Sequence, residues 1–207
     1  MLGARRSLRA LLGRFKDRCE RHDRERLLKL SIERGTNENR LTEELTRWLF
    51  DEGLNPLSRP LVAGLEPDVL EPFRDPTATL YVEAKQYKVT RGTRSKLIKG
   101  FWQLCDTVHR LRGHQFDLTE AFYVVFRRGG ALFELPREIP FEGWTAFPLL
   151  IDLAPAKVVG SRQREQPQVV SESELRPTPA TRDTSSAART SQRRKSGRRA
   201  RRRLRND

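Results

Sequence analysis

Residues 66–88 read EPDVLEPFRDPTATLYVEAKQYK, and the rest of the chain is arranged around them. Thr79 to Tyr87 is rich in β-branched and aromatic residues and follows the turn-forming Asp75-Pro76-Thr77, which predicts a strand. Side chains in a strand alternate between its faces, so Leu80, Val82 and Ala84 share one face and Tyr81, Glu83 and Lys85 the other. Val69 and Leu70 mark a short preceding strand. A hairpin-like return between the two would set Asp68, which follows Pro67, beside Glu83. Two carboxylates on adjacent strands make a hard-oxygen site suited to Mg²⁺, with Mn²⁺ as a substitute. A lysine beside them can offset charge building on a phosphate, or orient and deprotonate a water. Taken alone, the same residues also describe a solvated strand edge with an aspartate in a turn, since charged pairs are commonly surface pairs.

Upstream, Asn37 to Glu52 predicts a helix capped by Thr36 or Asn37 and ended by Gly53. Leu41, Leu45, Trp48 and Leu49 recur at i, i+4, i+7 and i+8, an amphipathic stripe. At 100° per residue, Glu38 lies about 60° from Leu41 on the side of Leu45 and Leu49, and Glu44 about 60° away on the opposite side. Pro56 to Ala63 then reads as the first strand of a meander, Gly64 as a turn, Glu66 to Leu70 as the second strand and Pro72 to Thr77 as a loop.

Downstream, Thr93 to Leu111 predicts a long helix with a wide apolar face. Arg91, Lys96 and Lys99 at its start are suited to lining a nucleic-acid channel, because a helix N-terminus also favours phosphate. Ala121 to Phe126, read AFYVVF, is a nearly continuous apolar run and predicts a buried central strand. Leu132 to Leu135 reads as a further short strand. Trp144 to Leu153 reads as the closing strand, ended by Pro155.

This motif in this order of elements, over Thr36 to Pro155, resembles the PD-(D/E)xK nuclease superfamily; it identifies no subfamily. The resemblance implies an α/β fold with a restriction-endonuclease-like core, a mixed central sheet flanked by helices. It implies that Asp68 and Glu83 hold one or two Mg²⁺ ions, with the carbonyl of Ala84 as a further ligand. Lys85 would position or activate the attacking water. Glu38 would complete the acidic shell, with Glu44 as the alternative. Gln86 would support the substrate or the site; otherwise it is an exposed amide. The expected function is that of a metal-dependent endonuclease hydrolysing phosphodiester bonds, DNA foremost, in a defence, restriction or repair type role. An alternative of a different class is a non-catalytic nucleic-acid-binding or scaffolding protein that keeps the fold.

Charge divides the chain of 207 residues into three parts. Residues 1–35 carry 11 Lys/Arg and 5 Asp/Glu, residues 36–159 carry 16 and 17, and residues 160–207 carry 14 and 5. A near-neutral domain thus stands between two basic flanks, a distribution that favours a polyanionic partner, most simply nucleic acid. The first flank, Arg5 to Glu33, predicts a single basic amphipathic helix that packs on the domain or touches phosphate. The last flank loses its apolar residues and predicts a disordered tail. Its block Arg198, Arg199, Arg201, Arg202 and Arg203 is suited to salt-sensitive polyanion contact without base reading. No separate target-recognition domain is visible, so loops or a homodimer would supply any sequence specificity, and a partner protein could guide the chain to its target.

The two cysteines, Cys19 and Cys105, form no disulfide framework and have no metal-ligand spacing, so zinc is not expected. No apolar run approaches the ~20 residues that cross a bilayer, so no membrane partner is expected. These features together place the chain in the cytoplasm: nucleoid-associated in a prokaryote, nuclear in a eukaryote.

Overall fold

The computed structural model describes residues 7–32, 40–62, 64–71, 79–88, 91–114, 116, 118–155 and 166–177. Glu38 and the arginine block at 198–203 lie outside the described residues.

The architecture is α/β, with a mixed six-stranded sheet between helices. The three strands of the expected meander are present, while the loop read at Pro72 to Thr77 lies outside the described residues. The strands are β1 (Leu57–Ser58), β2 (Val69–Glu71) and β3 (Leu80–Tyr87), paired antiparallel with Leu57 opposite Leu70 and Val69 opposite Val82. β1 and β2 are shorter than the sequence predicts. The polypeptide then runs through α4 (Thr93–Gly113) into β4 (Glu120–Arg127), which pairs parallel with β3. A parallel pair needs such a crossover. β7 (Trp144–Asp152) continues the parallel run on the far side of β4, and β6 (Ile139–Phe141) closes that edge antiparallel. β4 is therefore central and covered on both faces, which is why it reads AFYVVF without alternation.

The two faces carry two cores. Tyr81, Tyr87, Tyr123 and Val125 pack under α4 with Leu97, Phe101, Leu104 and Val108. Leu80, Val82, Phe122, Val124 and Phe126 pack under α1 (Leu8–Arg21) and α3 (Arg40–Asp51) with Phe15, Leu45 and Leu49. The alternation read from residues 80–85 thus assigns each residue to its layer, but neither face is solvated.

The predicted helix Arg5–Glu33 is two helices, α1 and α2 (Arg24–Ile32), among the described residues. Asp23 breaks it: its carbonyl accepts the Leu27 N–H at 2.9 Å and its carboxylate accepts Arg18 Nε at 2.9 Å and Arg26 at 3.2 Å. Its carbonyl thus opens α2, and aspartate is a residue that favours helix starts. α1 is docked on the domain. Phe15 packs against Trp48 and Phe126, Arg9 lies over Phe147 and pairs with Glu138, and Arg14 pairs with Glu52. The packing reading of this helix, not phosphate contact, matches these partners.

The compact unit runs to Leu175, past the point where composition predicts the tail to begin. β8 (Gln168–Val169) pairs parallel with β5 (Phe133–Glu134), and α5 (Glu172–Leu175) follows. Val170 and Leu175 are buried in the α4-side core, and Arg94 ties the segment down through a bidentate pair with Glu174 at 2.8 and 2.9 Å. Two apolar residues in a polar stretch make no periodic pattern. Among the described residues, no helix is long and apolar enough to cross a membrane.

Candidate functional site

Where β2 ends, β3 continues. Pairing with β2 stops at Val82, and the next residues of β3 have only β4 beside them. On the vacated side the chain entering β2 brings Asp68, whose Oδ2 accepts the backbone N–H of Ala84 at 2.9 Å. In a strand the N–H and C=O of one residue point to the same side. The carbonyl of Ala84 therefore also faces the Asp68 side, as its expected role requires.

Glu83 is buried, and both of its oxygens are engaged. Oε2 accepts the Tyr81 hydroxyl at 2.7 Å, and Oε1 pairs with Lys85 Nζ at 2.6 Å. Thr107 of α4, also buried, stands beside the Tyr81 hydroxyl. Burial raises the Asp68 carboxyl above its ordinary value. The negative charge of Glu83 adds to the rise, and Lys85, the Ala84 N–H and Arg59 oppose it. Two carboxylates thus share one poorly solvated place, the arrangement a divalent cation relieves.

A cavity of about 350 Å³ opens beside this pair: Asp68 lines it, whereas Glu83 meets it only through its partner Lys85. Asp68, Ala84, Lys85 and Gln86 line it from the sheet, Thr93, Lys96 and Leu97 from α4, Leu41 and Thr42 from the start of α3, and Arg59 from the end of β1. Of the sequence-predicted residues, Asp68, Ala84, Lys85, Gln86 and Lys96 thus line one cavity, and Glu83 joins them through its pair with Lys85. Gln86 Oε1 accepts Arg128 at 3.1 Å, which fixes the orientation of its amide. Arg91 and Lys99 are exposed and do not line the cavity. Glu44, the alternative helix carboxylate, is elsewhere: it accepts Arg26 at 2.8 Å and Arg47 at 2.7 Å. Burial alone would raise its carboxyl, but these two arginines outweigh that and hold it below the ordinary range. Glu44 is a structural ion-pair partner, because its helical position turns it toward α2 and away from the sheet end.

Sequence reasoning missed Arg59. Its N–H donates to the Asp68 carbonyl at 3.1 Å, and its guanidinium stands 3.9 Å from Asp68 Oδ1. Among the described residues it is the one non-glycine with positive φ, +50°. It also precedes Pro60, a position that favours extended backbone. No sequence signal announces such a residue; strain of this kind collects at functional sites. Tyr81 and Thr107 were missed as well. Tyr81 shares a face with Glu83 in the sequence pattern, but Thr107 reaches it only through the packing of α4.

Among the described residues, no group of three or more His, Cys, Asp or Glu stands together as a metal cluster. Two carboxylates and a carbonyl nonetheless suit Mg²⁺, which keeps several of its waters and is held by one or two carboxylates. Comparisons with protein-family models, with curated proteins and with solved structures give no match.

Proposed function

We propose that this chain is a metal-dependent endonuclease with a restriction-endonuclease-like core, acting on phosphodiester bonds in nucleic acid, DNA foremost. One observation carries the reading: Asp68 and Lys85, the latter paired with the buried Glu83, meet at one strand end and line a cavity whose other charged linings, Arg59 and Lys96, are cationic. An acidic pair holds a hard cation, and the surrounding cations hold a phosphate. When bound, Mg²⁺ supplies Lewis acidity and makes its water more acidic. Asp68, Glu83 and the Ala84 carbonyl would hold it. Lys85 orients the attacking water and offsets charge on the phosphate. Lys96, Gln86 and Arg59 hold the substrate's phosphates against the wall of the cavity. The helix carboxylate assigned to Glu38 remains part of the proposal. Arg91, Lys99 and the arginine block at 198–203 are proposed to hold nucleic acid at a distance from the chemistry, in a salt-dependent way.

A second reading is a non-catalytic nucleic-acid binder. The internal pairing of both Glu83 oxygens favours it, since a satisfied cluster needs no ligand. The deciding experiment is a Mg²⁺-dependent cleavage assay on supercoiled, single-stranded and branched DNA and on RNA, comparing wild type with folded Lys85→Ala and Asp68→Ala. Cleavage lost in both variants and with chelator supports the nuclease. Binding without cleavage on every substrate, retained in both variants, moves the assignment to the binder.

A further inference from the structure

The two oxygens of Glu83 are held very unequally. Oε2 is bonded to Tyr81, whose side chain is fully buried and whose hydroxyl is backed by Thr107. An aromatic ring packed in the core cannot swing away from its partner. Oε1 is bonded to Lys85, whose side chain is 34% exposed and lines the cavity. A lysine ammonium is a flexible point charge that changes partners at small cost. One oxygen is therefore fixed and the other is exchangeable.

We propose that Tyr81 is a positioning residue that pins Glu83 Oε2 and leaves Oε1 as the oxygen on the Lys85 side, so that a divalent cation reaches Glu83 by displacing Lys85 from Oε1 into the cavity. This rests on the reading of Asp68 and Glu83 as a cation site and adds a regulatory order to it: Lys85 stays on Glu83 until a cation takes its place. Once released, its ammonium faces a space lined by Asp68, Gln86 and Lys96, where a phosphate would sit. Partners that orient a metal-binding carboxylate typically change metal affinity 10- to 100-fold when removed.

The test is a Mg²⁺ titration of the full chain followed by NMR, with two resonances read separately. The Ala84 amide, bonded to Asp68, reports cation uptake. The ε-carbon of Lys85, assigned by its loss in Lys85→Arg, reports release. Wild type should show both moving with one midpoint. Tyr81→Phe, with its melting temperature recorded, should bind about tenfold more weakly. Its Lys85 resonance should stay still at saturation, because Glu83 can then offer Oε2 and keep Lys85 on Oε1. An Ala84 amide that never responds in wild type would overturn the cation site and this inference together. An amide that responds while Lys85 does not, or a Tyr81→Phe protein that behaves as wild type, would overturn the inference alone. The wild-type titration needs no variant, so the proposal can fail even where Tyr81→Phe does not fold.

Discussion

Asp68 accepts the N–H of Ala84 at 2.9 Å, sixteen residues further along the chain, and this bond sets the geometry of the site. It stands where a sheet bond would be if β2 were longer. The sheet ends on that side so that a carboxylate can take over its last donor.

The same placement makes Asp68 expensive when charged. Burial and the neighbouring Glu83 raise its folded-state pKa above the unfolded value of 3.8. A group raised in this way binds its proton more tightly when folded. Its contribution to stability is complete below pH 3.8 and is lost as pH rises through the folded value. Asp68→Asn keeps an oxygen for the Ala84 N–H and removes the charge. In chelator at pH 7 it should melt above wild type, and the gap should close as pH falls toward 3.8. Melting curves across that range check it; at this chain length 1 kcal/mol corresponds to roughly 2–4 °C. A variant that melts below wild type at pH 7 would show that Lys85 and Arg59 more than balance the burial.

Gly100 lets α4 pack close against Tyr123 and Lys85. A Cβ there would stand 2.5 Å from the Tyr123 hydroxyl and 3.1 Å from Cγ of Lys85. Alanine ordinarily gains up to about 1 kcal/mol over glycine within a helix. Here the Tyr123 hydroxyl is fixed, donating to the Leu97 carbonyl at 2.9 Å in a fully buried place. Overpacking should win, so Gly100→Ala should lose about 1–3 kcal/mol in denaturant unfolding. The Lys85 resonance should move even without Mg²⁺. A gain in stability would mean that α4 yields more readily than this contact implies.

Arg59 separates strain from function. A non-glycine residue in the left-handed region costs of order 1–2 kcal/mol, which glycine does not pay. Glycine also loses more freedom on folding, by roughly 0.5–1 kcal/mol. Arg59→Gly should therefore fold with a stability within about 1 kcal/mol of wild type, while Arg59→Val should be clearly less stable. Both lose the guanidinium at the cavity, so both should bind a nucleic-acid oligomer more weakly than wild type and with a shallower salt dependence. Equal binding by all three would remove Arg59 from the site.

Much of this was legible because it is periodic. The alternation Leu80-Tyr81-Val82-Glu83-Ala84-Lys85 assigns each side chain to a layer, and the run AFYVVF marks the central strand. The hairpin-like return placed Asp68 beside Glu83; that its carboxylate would take the N–H of the next residue, Ala84, was not legible. What was not legible depends on contacts distant in sequence. Nothing near Glu44 says that Arg26 will claim it, and nothing near Tyr81 says that Thr107 will back it. Arg59 escaped because its conformation, not its identity, is unusual. Two buried side chains in a polar segment, Val170 and Leu175, were outvoted by their neighbours.

Those two residues give a test of where the folded unit ends. Leu175 is fully buried and Val170 nearly so, and the Arg94–Glu174 pair holds their segment against the first turn of α4. That turn also supplies Thr93 and Lys96 to the cavity. Burying a leucine or valine contributes about 1.5–3 kcal/mol. A chain ending at Val159 loses both, along with the strand pairing of β5 and β8, whereas a chain ending at Pro177 keeps them. The shorter chain should therefore melt several degrees below the longer one. The chain ending at Pro177 should match the full-length protein in melting temperature and differ from it only in the salt-sensitive part of nucleic-acid binding. If the chain ending at Val159 melts with the full-length protein, the 168–175 segment contributes nothing to the core. Its place over α4 would then have no energetic meaning.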